Sequence, residues 1–466
     1  MSDTPRSALR IPHFLLPFLV LIAILGACLL EVRLGNARSL IPQEEQVATV
    51  TRLAAKAMIP TPRMGFSQVF LTIWPHVSDG ATPPLYPWLN AIISGAEPDS
   101  TILAERGRWL QLVIIALGLV TWQIVCLRKQ MPGFSCVALI VVGGAIIPSM
   151  GIFSPRALFI PLYAATWLEA ASLCRYNPSW RYARLGLLFG LASLLDSGVF
   201  VLLFGFLAIT TVRFVRRALP RFLTSTFCQH SRKWAASDHL IGLTLLASFF
   251  ILPNIPRFIA SYEQFGTPLY SQAHVTRWLE SPGEVTDWIA KHPNIKVVPE
   301  ESQPSLSSYL SKHTVIEPIG RLWRGAGSIL GEYDIRTDCT RKVFWLLLAL
   351  QAVGVVGIGA VLLYWLQQER ELVPLPQYLF ASLPLILVTV GFGFTLAAWD
   401  HAVFPSPARF VPLLAGAACD VMVCGERYRK LLLQIKRLRP QRAAVSYNIA
   451  RGILGAAGLL MLLLAL

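Results

Sequence analysis

Apolar residues in this chain are gathered into long blocks separated by polar stretches. Blocks near the ~20 residues needed to cross a bilayer fall at 13–30, 109–127, 134–152, 157–174, 185–196, 198–212, 239–260, 343–366, 376–398, 409–424 and 452–466. The pattern predicts an all-α polytopic membrane protein with about 11 transmembrane helices. The stretch 185–212 is read as two short spans divided near Leu195.

Most connections between the blocks are short, whereas 31–108 and 261–342 far exceed the few residues that usually join packed elements. The first carries Pro42-Gln43-Glu44-Glu45 and then Val47, Val50, Ala54 and Met58 at helical spacing. This predicts an amphipathic helix lying along the membrane surface and ended by Pro60. A second short helix is predicted at 84–94, with Leu85, Trp88, Leu89 and Ile92 as its apolar face. The second long connection alternates turn signals such as Ser281-Pro282-Gly283 with short apolar runs and reads as an irregular cap. Three parts follow: a transmembrane module at 1–260 that includes the 31–108 loop, a cap at 261–342, and C-terminal helices at 343–466.

Composition supports the membrane reading, because 54% hydrophobic and 14% charged residues lie outside the usual soluble range. The net charge of +15 sits in alternate connections: Arg6 and Arg10; Arg128 and Lys129; Arg175, Arg181 and Arg184; 213–233; and 427–442. The positive-inside rule then puts the N-terminus in the cytoplasm, both long connections and the C-terminus outside, and the chain in a cell inner (plasma) membrane. Charge dispersed in this way argues against nucleic acid, which selects a single basic face. The cysteines indicate no disulfide framework. Leu25-Gly26-Ala27-Cys28 resembles a lipoprotein cleavage box, with a retained anchor as the alternative. No metal motif is present, and a divalent cation is left open.

Candidate chemistry concentrates on the external side. Glu44 and Glu45 could supply a base to an acceptor hydroxyl, or simply complement the positive end of a helix dipole. Arg257, in Pro253-Asn254-Ile255-Pro256-Arg257 and followed by Phe265-Gly266-Thr267-Pro268, could hold a phosphate bidentately or anchor a span end. Arg156, Arg108 and Arg409 are expected at the same boundary and could complete an anion site. Trp74, Tyr86 and Trp88 could offer flat surfaces to a sugar or an isoprenoid, or act as interfacial aromatic anchors, the reading that suits Trp88 best. Asp196 occupies a tight corner and Asp400-His401 another, each also explicable as turn residues.

Taken in order, these elements resemble the GT-C membrane glycosyltransferases, in the protein O-mannosyltransferase and aminoarabinose-transferase branch. The resemblance rests on a long first external loop opened by an acidic pair, Pro83-Pro84-Leu85-Tyr86, Gly190-Leu191-Ala192-Ser193-Leu194-Leu195-Asp196, and the Arg257 segment. It covers roughly the first 270 residues, and the remainder only in span layout. It implies a sugar donor on a polyprenyl phosphate, a lipid or protein acceptor, no cofactor, and Glu44 in place of the family's catalytic aspartate. Three positions depart from the family pattern: Thr82 stands where a basic residue usually precedes Pro-Pro-Leu-Tyr, Asp196 stands where a lysine is usual, and the acidic residue often found in the second external loop has no counterpart around Ser154-Pro155-Arg156. The other readings are a non-catalytic binder of lipid-linked glycan and a transporter or flippase.

Overall fold

The structure, a computed structural model, describes residues 15–58, 74–75, 80–95, 97–128, 132–175, 180–223, 229–292, 298–299, 302–314, 316–332, 375–403, 412–413, 415–417 and 419–420. Every regular element among the described residues is a helix. Along the chain they are α1 (Leu15–Asn36), α2 (Pro42–Ala57), α3 (Leu85–Ser94), α4 (Ser100–Arg128), α5 (Pro132–Met150), α6 (Arg156–Arg175), α7 (Trp180–Ser193) and α8 (Val199–Leu223). There follow α9 (Gln229–Phe265), α10 (Ala273–Thr276), α11 (Pro282–Lys291), α12 (Leu306–Lys312), α13 (Ile316–Glu332) and α14 (Leu375–His401).

Among the described residues, three stretches are long and apolar enough to cross a membrane: Pro17–Asn36, Ser100–Cys126 and Leu240–Phe265. The blocks expected at 343–366 and 452–466 lie outside the described residues, and 409–424 is described only in fragments. The division near Leu195 is observed, since α7 ends at Ser193 and α8 begins at Val199. At 14 residues α7 is about 21 Å long, short of a ~30 Å hydrocarbon core.

Helix α6 lies at the centre of the bundle. Phe159, Tyr163 and Trp167 are buried along it with ring centroids 5.3 and 6.0 Å apart. Glycine permits a close pairing of α7 with α9: a Cβ on Gly186 of α7 would lie 2.3 Å from the Leu246 carbonyl oxygen of α9. Gly190 meets Pro253 and Phe250 one turn further on, so α7 and α9 run in the same direction, and α9 continues past the end of α7 to Phe265.

Reversal of direction from helix to helix gathers one set of connections at a single end of the bundle. Arg38 donates to the Gly151 carbonyl, joining the α1–α2 connection to that between α5 and α6. The amide of Leu85 donates to the Leu194 carbonyl, which adds the α7–α8 corner. The Gln272 amide donates to the Gly80 carbonyl, and the Trp74 indole to the Pro253 carbonyl at 2.6 Å, which adds the end of α9.

Three expectations need correction. The apolar face of α2 is not laid on a lipid surface, because Val47, Ala48, Val50, Ala54 and Ala55 are buried against the rest of the protein. Helix α3 buries Tyr86, Pro87, Asn90 and Ala91, while Ile92 and Ile93 of its aliphatic face are exposed. The cap expected to be irregular contains α11 to α13, the last 17 residues long. It is riveted to α14 by Arg321, whose guanidinium lies 4.3 Å from the Trp399 ring centroid and 5.4 Å from that of Tyr309. Arg277 pairs with Asp400 at 3.3 Å beside it.

Candidate functional site

Glu44 is the third residue of α2, and a glutamate there reaches back naturally to the amide that precedes the helix. The Ile41 amide does donate to its Oε2 at 3.1 Å. The remaining partners come from far along the chain. Arg38 forks onto both oxygens at 2.9 and 3.0 Å, Arg108 of α4 donates to Oε1 at 2.7 Å, and the Phe153 amide donates to Oε1 at 2.6 Å. Five hydrogen bonds therefore converge on a carboxylate with no exposed surface.

Burial alone would raise the proton affinity of Glu44. The Phe153 amide, Arg108 and the Ile41 amide outweigh it and hold the carboxyl below the ordinary glutamate range. A base needs a free lone pair within reach of the proton it takes, and Glu44 offers none in this arrangement. The geometry makes it a clamp that joins α2, α4 and the α5–α6 connection. Its neighbour Glu45 points away and is exposed, so the acidic pair divides between interior and surface.

Arg108 is 1% exposed, and besides Glu44 it donates to the Asn36 side chain at 3.0 Å. Tyr86 is wholly buried: its hydroxyl accepts from Gln111 at 2.6 Å and its ring lies 5.4 Å from that of Phe153. Both side chains are engaged in holding the interior of this end of the bundle together. Arg156 is half-buried at the first residue of α6 and engaged in contacts of its own. Arg409 lies outside the described residues. Arg108 and Arg257 share no partner among the described residues.

Arg257 stands apart. Prolines at 253 and 256 interrupt the hydrogen-bond ladder of α9 just before it. Gly266 then ends the helix in a left-handed conformation, φ +80°, as the Phe-Gly-x-Pro segment predicts. The Arg257 side chain is 7% exposed and donates to the Ser193 carbonyl at 2.7 Å. It forms no ion pair among the described residues. Asn254 is also fully buried, and it ties the same corner by accepting from Ser193 Oγ at 3.2 Å and donating to the Gly190 carbonyl at 3.3 Å.

The acidic pair apart, the separated segments behind the resemblance reach this corner. Trp74 binds the Pro253 carbonyl, Pro84 and Leu85 abut Leu194, and Gly80 meets the 265–272 turn through Tyr270 and Gln272. Thr82 is 7% exposed, so the position usually basic in the family is an interior one here. Sequence reasoning missed Arg38, the half-exposed arm of the Glu44 clamp. Its only local signal is a cation six residues ahead of an acidic helix start. No grouping of metal-binding side chains occurs among the described residues. No family model matches the chain, and no curated protein or solved structure matches it.

Proposed function

We propose that this protein is an integral membrane glycosyltransferase of the GT-C kind, which moves a sugar from a polyprenyl-phosphate donor to an acceptor hydroxyl on the external face. The observation that carries the proposal is Arg257: a buried guanidinium without a carboxylate among the described residues, at the corner where Trp74, Pro83-Pro84-Leu85-Tyr86, 190–196 and 265–272 come together. A buried charge without a counterion is costly, and a phosphate arriving at the bundle end would remove that cost. In the reaction, Arg257 stabilises the charge that develops on the departing lipid phosphate, the kind of preorganised electrostatics that usually dominates catalysis. Trp74 borders the same corner and offers its ring to the donor. The clamp of Glu44, Arg38 and Arg108 keeps the first long loop seated so that the 80–86 segment closes the site.

The test compares envelope glycans of producing and deletion strains, followed by transfer from a polyprenyl-phosphate sugar in membranes containing the full chain. Arg257→Gln should abolish transfer without loss of expression. The saturation of Glu44 favours a second reading, a binder of lipid-linked glycan that performs no chemistry. For that reading, wild-type protein would bind polyprenyl phosphate through Arg257 and transfer nothing.

A further inference from the structure

With Glu44 saturated, a transferase at this corner needs another proton acceptor, and the geometry points to Asp196 as the carboxylate that takes the proton of the acceptor hydroxyl. This assignment rests on the transferase reading above. Asp196 lies in the corner between α7 and α8 and is half-exposed. Its Oδ1 accepts from the Gly198 amide at 2.7 Å, which fixes the carboxylate orientation. Its Oδ2 has no hydrogen bond or ion pair among the described residues. Glu44 and Asp196 thus differ in the property a base requires: one has every lone pair engaged within the interior, the other has an oxygen open at the surface.

Position favours the same residue. Asp196 follows by three residues the Ser193 carbonyl that Arg257 grips, and by two the Leu194 carbonyl that receives the Leu85 amide. Three residues span at most about 11 Å, and the bond from the Asp196 amide to the Ala192 carbonyl at 2.9 Å folds them more tightly. A second, independent observation lies beneath the corner. Tyr163 is 1% exposed, its hydroxyl has no hydrogen-bond partner, and it is near enough to Asp196 to feel its charge. A buried hydroxyl left without a partner costs roughly 1–3 kcal/mol, which marks it as a group that a bound oxygen would satisfy. Phe159, whose ring is tilted against that of Tyr163, and Asp196 Oδ1 both face Gly198, so the carboxylate lies on the same side of the corner as this aromatic pair.

The step balances with these groups alone. The acceptor oxygen forms a bond to the anomeric carbon as its proton passes to Asp196 Oδ2. The bond from that carbon to the phosphate oxygen breaks, and its electron pair leaves on the polyprenyl phosphate beside Arg257.

The test uses the full chain in proteoliposomes with a polyprenyl-phosphate sugar as donor, and sugar-free polyprenyl phosphate as a binding probe read by thermal shift. Asparagine keeps the oxygen that accepts from Gly198, so Asp196→Asn should preserve helix content and the probe's thermal shift. It should lower transfer by about 100-fold or more, the usual contribution of a general base; Asp196→Ser should behave likewise. Transfer by Asp196→Asn within about threefold of an active wild type would overturn the assignment and leave the transferase reading standing. Loss of probe binding in both variants would also overturn it, by making Asp196 a structural turn residue. A wild type that binds the probe but transfers no sugar would overturn the transferase reading, and this assignment with it.

Discussion

Arg108 and Arg257 are both buried arginines at the same end of the bundle, 1% and 7% exposed, but their surroundings differ in kind. Arg108 meets a carboxylate at 2.7 Å and an asparagine oxygen at 3.0 Å, with only its Nε lacking a partner. Arg257 has the Ser193 carbonyl and no anion among the described residues. Burying a charge beside its counterion holds a fold together, and removing one partner of such a pair typically costs about 3–5 kcal/mol. Burying a charge alone weakens the fold and is explained by what binds there. Under the proposed function, Arg108 serves the structure and Arg257 is the arginine that meets the ligand.

Breaking the first member of the comparison should have the larger effect. Glu44→Gln leaves Arg108 interred without its counterion, and thermal unfolding of the purified protein should show a loss of about 3–5 kcal/mol. The pH dependence has a definite sign. The carboxyl of Glu44 is held below its ordinary range, so its stabilisation is complete above that range and fades as pH falls through it toward the lowered folded value. In Glu44→Gln that part of the acid-induced loss should be absent. Arg108→Met should destabilise by a comparable, somewhat smaller amount, because Arg38 still pairs with Glu44.

Arg257→Met should move stability the other way, leaving it unchanged or raising it by about 0.5–2 kcal/mol, as removal of a functional liability commonly does. Midpoints in the same unfolding assay read both signs. Opposite signs for Arg108→Met and Arg257→Met would sharpen the distinction; equal losses would erase it. The smallest effect is expected between the two arginines. Tyr86→Phe removes the acceptor of one Gln111 hydrogen bond and should cost about 1 kcal/mol, since Gln111 still reaches the Ser154 carbonyl.

Block hydropathy and alternating charge made the order of helices from α1 to α9 legible, including the break at Leu195, because span length and loop charge are local properties of sequence. The faces of α2 and α3 were not legible. An apolar stripe on a short helix can cover protein or lipid, and periodicity is the same in both cases. The Arg257 segment could be read because its prolines and Gly266 impose local geometry. The clamp could not: Glu44 meets Arg108 across 64 residues and Phe153 across 109, and no spacing rule predicts such contacts. Asp196 stood out as a corner aspartate and as a departure from a family pattern; its open oxygen becomes evident beside a saturated Glu44.

The central claim, that Arg257 is an anion-binding residue, is tested most directly by the thermal shift that sugar-free polyprenyl phosphate produces in the detergent-solubilised full chain. At about 100 times its dissociation constant, a ligand that binds only the folded state adds roughly 2.7 kcal/mol. The account predicts that shift for the wild type and its absence in Arg257→Met. An equal shift in both proteins would contradict it.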